Sequence, residues 1–240
     1  MAGFIIGIVV IGGLWYWLSQ LSRKAERECI ALLGLTAVSR GAATHGQSAE
    51  GLDYVERVIA EGSLHGVVAQ LSSRNIRSDR VARAKRDRGA FTVLSMQLSR
   101  PPPAPLRLQP AGVARAAEWF LGRPPDPVLT GDAEFDLAWH LYATHPEAAI
   151  LAVDASLRVA LMRLHRLILP TGPSGVSNKL ASGLLLGSFE LTETVARCYV
   201  VGTPSTQTGE RLKLAEPILA RLALAARLVV KVLFCFLPDR

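Results

Sequence analysis

The chain opens on an apolar run that no charged side chain interrupts from Ala2 to Ser22, with Phe4, Ile5, Ile6, Ile8, Val9, Val10, Ile11 and Leu14 at its heart. At ~1.5 Å per residue a helix of that length reaches about 32 Å, the depth of one hydrocarbon core. The pattern therefore predicts an N-terminal single transmembrane helix over residues 1–22. Trp15, Tyr16 and Trp17 fall near its end, where amphipathic rings favour the lipid–water boundary, and Arg23, Lys24 and Arg27 follow directly. Cations on that side predict an N-terminus out and a main domain in the cytoplasm of a bacterial inner membrane. No small-residue cleavage pattern precedes Trp15, so the run is expected to be retained. Gly3 and Gly7 form one small-xxx-small pair through which two such helices could meet as a homodimer.

Beyond Ser22 the helical pattern continues through Lys24 to Leu35 and is expected to stop near Gly34, and Ser39 to Gly51 lacks any apolar period and reads as a tether. The organisation predicted is an anchor over 1–22, a juxtamembrane helix and tether over 23–50, and a cytoplasmic α+β domain over 51–240. From Asp53 the period becomes two. Strands are predicted over Leu64–Ser72 and Ala90–Ser99, paired as a hairpin with a long excursion between them. Arg100 to Pro110 carries five prolines, which remove donors and fix φ, so it is expected to be an extended connector at a sheet edge or outside the sheet. Gly112 to Leu121 predicts a short helix.

Strict alternation of Phe135, Leu137, Trp139 and Leu141 with Asp136, Ala138, His140 and Tyr142 predicts a strand. Helices are predicted over Glu147–Val153 and Asp154–Leu169, the second capped by Asp154 and striped by Leu157, Leu161, Leu164 and Ile168. A strand pair over 183–191 and 194–201 precedes a long helix over Glu210–Leu237. Arg227 and Lys231 would each cost about 2.5 to 3.5 kcal/mol at a bilayer centre, so that helix reads as amphipathic and buried, or lying along a membrane face, rather than as a second span. The sum is a mixed antiparallel sheet with helices behind one span.

Composition narrows the class. In 240 residues, 50% hydrophobic and 20% charged, there is enough apolar material for a sizeable core, which excludes wholesale disorder. A polytopic transporter would repeat the charge-free run, and this chain does not. Three scattered cysteines, Cys29, Cys198 and Cys235, read as unpaired thiols of a reducing compartment.

Much of the net charge of +7 lies in Arg74 to Arg88, which holds Arg74, Arg77, Arg80, Arg83, Lys85, Arg86 and Arg88 against Asp79 and Asp87. Arginines at every third position form a cationic ridge on a helix, suited to anionic lipid headgroups or an acidic protein partner near a membrane. Nucleic acid is disfavoured, because no interleaved aromatics are present to stack bases. The alternative is a solvated loop between two strands. Asp136 and His140 share one face of the predicted strand and offer an acid/base pair, but no nucleophile accompanies them; the plainer reading has Asp136 bonding the turn at Gly131. Arg197 beside Cys198 could lower a thiol pKa, whereas the plainer reading is a small buried hydrophobe. His140 and His145 are spaced for opposite strand faces, so no metal site is expected, and no phosphate-binding or dinucleotide glycine pattern points to a cofactor.

Gly131, Asp132, Phe135 and Asp136 form a Gly-Asp-x-x-Phe-Asp turn. With the element order that follows, it resembles a group of uncharacterised bacterial single-pass membrane-anchored proteins. The resemblance implies an α+β domain behind a single span and transfers no catalytic residue. The reading that results is a non-enzymatic accessory or assembly module, anchored by its first helix, with Trp15, Tyr16, Trp17, Arg23 and Lys24 at the membrane interface. The alternatives are a membrane-tethered hydrolase using Asp136 and His140, and a nucleic-acid binder at the membrane.

Overall fold

The computed structural model of the chain describes residues 2–39, 43–47, 53–77, 90–102, 104–111, 126–168 and 188–235. Helix α1 spans Ala2–Leu33 without a break. Good helix formers and a Lys24–Glu28 pair at 3.9 Å carry it past Ser22. It stops where the sequence predicts. Gly34 takes φ +67°, its N–H bonds the Ala31 carbonyl at 3.0 Å, and the Leu35 N–H reaches back to the Ile30 carbonyl at 3.3 Å. These two bonds are the Schellman arrangement, and Leu35 tucks into the core beside it.

The expectation of a transmembrane span at the N-terminus is overturned. Among the described residues no helix is long and apolar enough to cross a membrane. Instead the last turns of α1 belong to the folded body, since Cys29, Ile30 and Leu33 are buried in its core. The physical reason is the apolar spacing 29, 30, 33, which points one face of the helix's last turns at the domain. Gly3 and Gly7, the predicted dimer contact, lie where side chains are outside the described residues.

The described strands are β1 (Thr36–Ala37), β2 (Thr44–Gln47), β3 (Asp53–Leu64), β4 (Val67–Arg77), β5 (Ala90–Gln97), β6 (Leu106–Pro110), β7 (Trp139–Ala143), β8 (Phe189–Leu191) and β9 (Val195–Val201). They form one sheet in the order β1-β3-β4-β5-β9-β8-β6-β7, with β2 beside β1 on the same edge of β3, and every pairing is antiparallel. The α+β class and the antiparallel sheet expected from the sequence are both present.

Several predicted boundaries move. Leu64–Ser72 straddles a hairpin turn, because His65 (φ 51°) and Gly66 (φ 73°) both take positive φ, the geometry of a tight two-residue turn that matches strand twist. β4 then pairs with β5 across a long excursion, as predicted. The expected tether contributes β2, which with β1 just before it covers the edge of β3. The proline-rich stretch enters the sheet interior: Leu106 and Leu108 are buried, and β6 lies between β8 and β7. Its prolines precede the ladder at 101–105 or end it at Pro110, so they cost no interior hydrogen bond.

The predicted strand over 135–142 divides. Asp132 accepts the Phe135 N–H at 3.2 Å and caps helix α2 (Ala133–Ala138), and only Trp139 onward is strand. Helices α3 (Pro146–Ala152) and α4 (Ala155–Ile168) follow, and Asp154 caps α4 by accepting the Leu157 N–H at 2.7 Å. The last helix, α5 (Thr206–Cys235), begins one turn earlier than expected. Ser205 and Thr208 exchange bonds there, Thr208 N–H to Ser205 Oγ at 3.2 Å and Ser205 N–H to Thr208 Oγ1 at 2.7 Å. The predicted helix over 112–121 lies outside the described residues.

One sheet face carries Ala60, Leu71, Leu94 and Cys198, all fully buried, and α1 and α5 pack on that side through Leu33, Leu212, Ala215 and Leu219. At the other end Trp139, Phe135 and Phe189 fill the space beneath α4, where Leu157, Leu161 and Leu164 of its predicted stripe are buried and the Ile168 side chain lies outside the described residues. The core is continuous through both regions.

Candidate functional site

Two features stand out from the fold: an exposed apolar band on α1 and a buried charged cluster on the sheet. The band comprises five successive residues, Leu14 to Leu18, each between 50% and 73% exposed, and Leu21 extends it. Five consecutive positions cover every direction around a helix, so the band is apolar all round and no single face of it is turned into the core. Arg23 and Lys24 follow it and are exposed, with Lys24 near Glu28. All five residues expected at a membrane interface therefore stand together on one exposed length of helix.

The charged cluster lies on the sheet face away from α1 and α5. Arg74, the first member of the predicted cationic ridge, is only 6% exposed. Its Nη2 donates to Glu56 Oε2 at 2.8 Å and its Nη1 to the Tyr199 hydroxyl at 3.1 Å. The guanidinium stacks over the Tyr54 ring at 4.1 Å, with the Tyr199 ring 5.2 Å away. Burial works against the Arg74 charge, yet Tyr199, Glu56 and Tyr54 outweigh it and hold the group above its usual pKa. Tyr199 in turn donates to Glu190, which Arg197 approaches at 3.5 Å. Burial, then the Glu190 carboxylate, push the Tyr199 phenol up, so it remains a donor. Ser72 donates to the second Glu56 oxygen.

The charges of this cluster pair internally, Arg74 with Glu56 and Arg197 with Glu190, while the buried Arg74 Nε lacks a hydrogen-bond partner. The cluster ties β3, β4, β8 and β9 together rather than presenting a reactive group. Arg74 is thus committed internally and removed from the predicted anion-binding set. Arg77 ends β4 with its side chain outside the described residues, and Arg80, Arg83, Lys85, Arg86 and Arg88 lie outside them altogether. Sequence reading missed Tyr54, Glu56, Glu190, Arg197 and Tyr199. A signal was present: Tyr54 with Glu56 and Arg197 with Tyr199 repeat at the strand period of two, with opposite charges on different strands.

The proposed acid/base pair is not assembled as one strand face. Asp136 sits on α2 and accepts the Thr130 N–H at 3.0 Å and the Thr130 hydroxyl at 2.8 Å, while His140 sits on β7 with Nδ1 3.2 Å from the Tyr142 hydroxyl. The plainer reading, Asp136 bonding the turn, matches what is seen. Gly131 takes φ +82°, Asp132 caps α2, Phe135 is fully buried and Asp136 clasps Thr130, so each named residue of the Gly-Asp-x-x-Phe-Asp turn helps start α2. Cys198 is fully buried, and burial pushes its thiol up, away from nucleophilic range despite Arg197. Among the described residues no group of His, Cys, Asp and Glu side chains is arranged to hold a metal.

No protein-family model matches the chain, and no curated protein does. Among solved structures, the crystal structure of the mycobacterial trehalose monomycolate transport factor A, TtfA, is similar to this chain with a TM-score of 0.41 and 13% identity, covering 82% of this chain and 94% of that one. A likeness at that level leaves the role of this chain to be argued from its own residues.

Proposed function

We propose that this protein is a membrane-associated, non-enzymatic accessory or assembly module. In this reading the exposed stretch Leu14 to Leu18 of α1 rests in the lipid–water boundary at the cytoplasmic face of a bacterial inner membrane, and the α+β domain behind it meets a protein partner or anionic lipid. The observation that carries it is the band Leu14 to Leu18, apolar and aromatic on every side, with Arg23 and Lys24 next along the helix. Burying a large apolar side chain is worth about 1.5 to 3 kcal/mol, so five in a row left in water is a large unrealised gain. Trp and Tyr favour the boundary in particular, and each cation close to an anionic leaflet adds about 1 kcal/mol. The internal pairing of Arg74 with Glu56 and of Asp136 with Thr130 supports binding rather than catalysis.

Flotation of the full chain with vesicles containing phosphatidylglycerol tests this. The protein is expected in the vesicle fraction, and replacing Trp15, Tyr16 and Trp17 together by Ser is expected to return it to the aqueous fraction. Equal flotation of the two forms, or none by the original, would remove the proposal.

A further inference from the structure

A second apolar surface lies well away from the N-terminal band in sequence, between α4 and α5. Ser156, Val159, Ala160, Arg163, Leu164 and Leu167 wall one side of an open groove of about 470 Å³, and Leu214, Pro217, Ile218 and Arg221 wall the other. Both walls follow helical spacing, i, i+3, i+4, i+7, so the groove is the trough between two helix faces. Leu164 and Ile218 form its buried floor, whereas Val159, Leu167 and Leu214 are exposed along it, Leu167 by 69%. Its α4 wall runs from Ser156 to Leu167, about 16 Å at 1.5 Å per residue, or three turns.

The charge on this trough is one-sided. Its lining holds two guanidiniums and no carboxylate. Arg221 is balanced by Asp154 at 3.3 Å, but Arg163 is exposed and has no partner among the described residues. A trough between two helices, apolar along its length and cationic at its rim, is complementary to a third helix that is apolar on one stripe and acidic beside it.

We propose that the α4–α5 groove docks an amphipathic helix of a partner protein, seated by Leu or similar side chains against Val159, Leu167 and Leu214 and oriented by carboxylates that meet Arg163. This names a partner class for the assembly role proposed above, and it does not depend on membrane attachment, which uses α1.

The test uses the full chain and a synthetic helical peptide of about four turns, with Leu along one stripe and Glu on both flanks, and a twin with Lys in place of Glu. Fluorescence anisotropy should show micromolar binding of the Glu peptide and at least tenfold weaker binding of the Lys twin. Leu167→Asp, at an exposed position that should leave the melting temperature unchanged, should weaken the Glu peptide at least tenfold. Arg163→Glu should invert the preference between the twins. The proposal is overturned by absence of binding, by equal binding of both peptides, or by binding that survives Leu167→Asp. It is likewise overturned if oleate fills the groove in preference to either peptide, which would mark a lipid site, or if Leu167→Asp dissolves a self-associated form seen by sedimentation, which would mark a second copy. Vesicle flotation of Leu167→Asp should match the original protein, so failure here and failure of the membrane reading are separately visible.

Discussion

Gly209 on α5 meets Cys29 on α1 so closely that a Cβ built at Gly209 would lie 3.1 Å from the Cys29 Cα and 3.3 Å from its Sγ. The helices touch backbone to backbone at this point, and Thr206 reinforces the contact by donating to Glu28. Gly209→Ala gains about 1 kcal/mol of helix propensity and loses a similar amount to crowding, so its denaturation midpoint should change little. Gly209→Val has no such balance and should lose about 1 to 3 kcal/mol, read as a lower urea midpoint at unchanged slope.

Removing one side of the buried Arg74–Glu56 pair should be among the most harmful changes on the sheet. Their side chains are 7% and 18% exposed, so Glu56→Ala leaves a guanidinium largely out of water, at a cost of roughly 3 to 5 kcal/mol. Glu56→Leu combined with Arg74→Met should cost clearly less than the sum of the single changes. A double-mutant cycle by chemical denaturation reads the difference.

Asp154 gives stability a dependence on acid. Burial is the largest single influence and raises its pKa, but the Leu157 N–H, the Ser156 hydroxyl and Arg221 together outweigh it, and the net pKa in the folded chain is lowered. A carboxylate depressed by folding contributes fully above its unfolded pKa of about 3.9 and loses that contribution as pH falls through the folded value. The gap in melting temperature between the original protein and Asp154→Asn should therefore be present at neutral pH and close as the solution is acidified below about pH 4. Asp154→Ala, which also removes the cap, should cost about 1 kcal/mol at neutral pH.

Asp132→Ala should cost a similar amount, about 1 kcal/mol, by unseating the start of α2. Hydrogen exchange locates the effect: the Phe135 amide, which donates to Asp132, should lose protection while amides of β4 and β5 keep theirs.

The 135–142 region shows where sequence pattern sufficed and where it did not. Phe135, Trp139 and Leu141 are buried as the alternation requires, but Leu137 is 81% exposed and Ala138 is buried in its place. Spacing of 135 and 138 is helical, and 139 and 141 is strand-like. A cap at Asp132 decides between two periods that the residues alone support equally well. By contrast α4, β5, β9 and the stop at Gly34 were legible, because each combines a clean period with its own terminating residue. The sheet cluster was not, since its members come from β3, β4, β8 and β9 and only the register brings them together. The continuation of the opening helix to Gly34 was legible, but treating residues 1–22 as a separate anchor was misleading, because hydropathy does not reveal that Cys29, Ile30 and Leu33 of the same helix pack into the body.

That continuity makes the N-terminal helix indivisible for anyone who would re-engineer the molecule. A deletion that removes α1 as far as Leu33, intended only to take away the exposed apolar band, would also strip Cys29, Ile30 and Leu33 from beneath α5 and leave an oily wound on the domain. A workable truncation has to cut between Leu21 and Cys29, taking the exposed rings and leaving the final turns as part of the body.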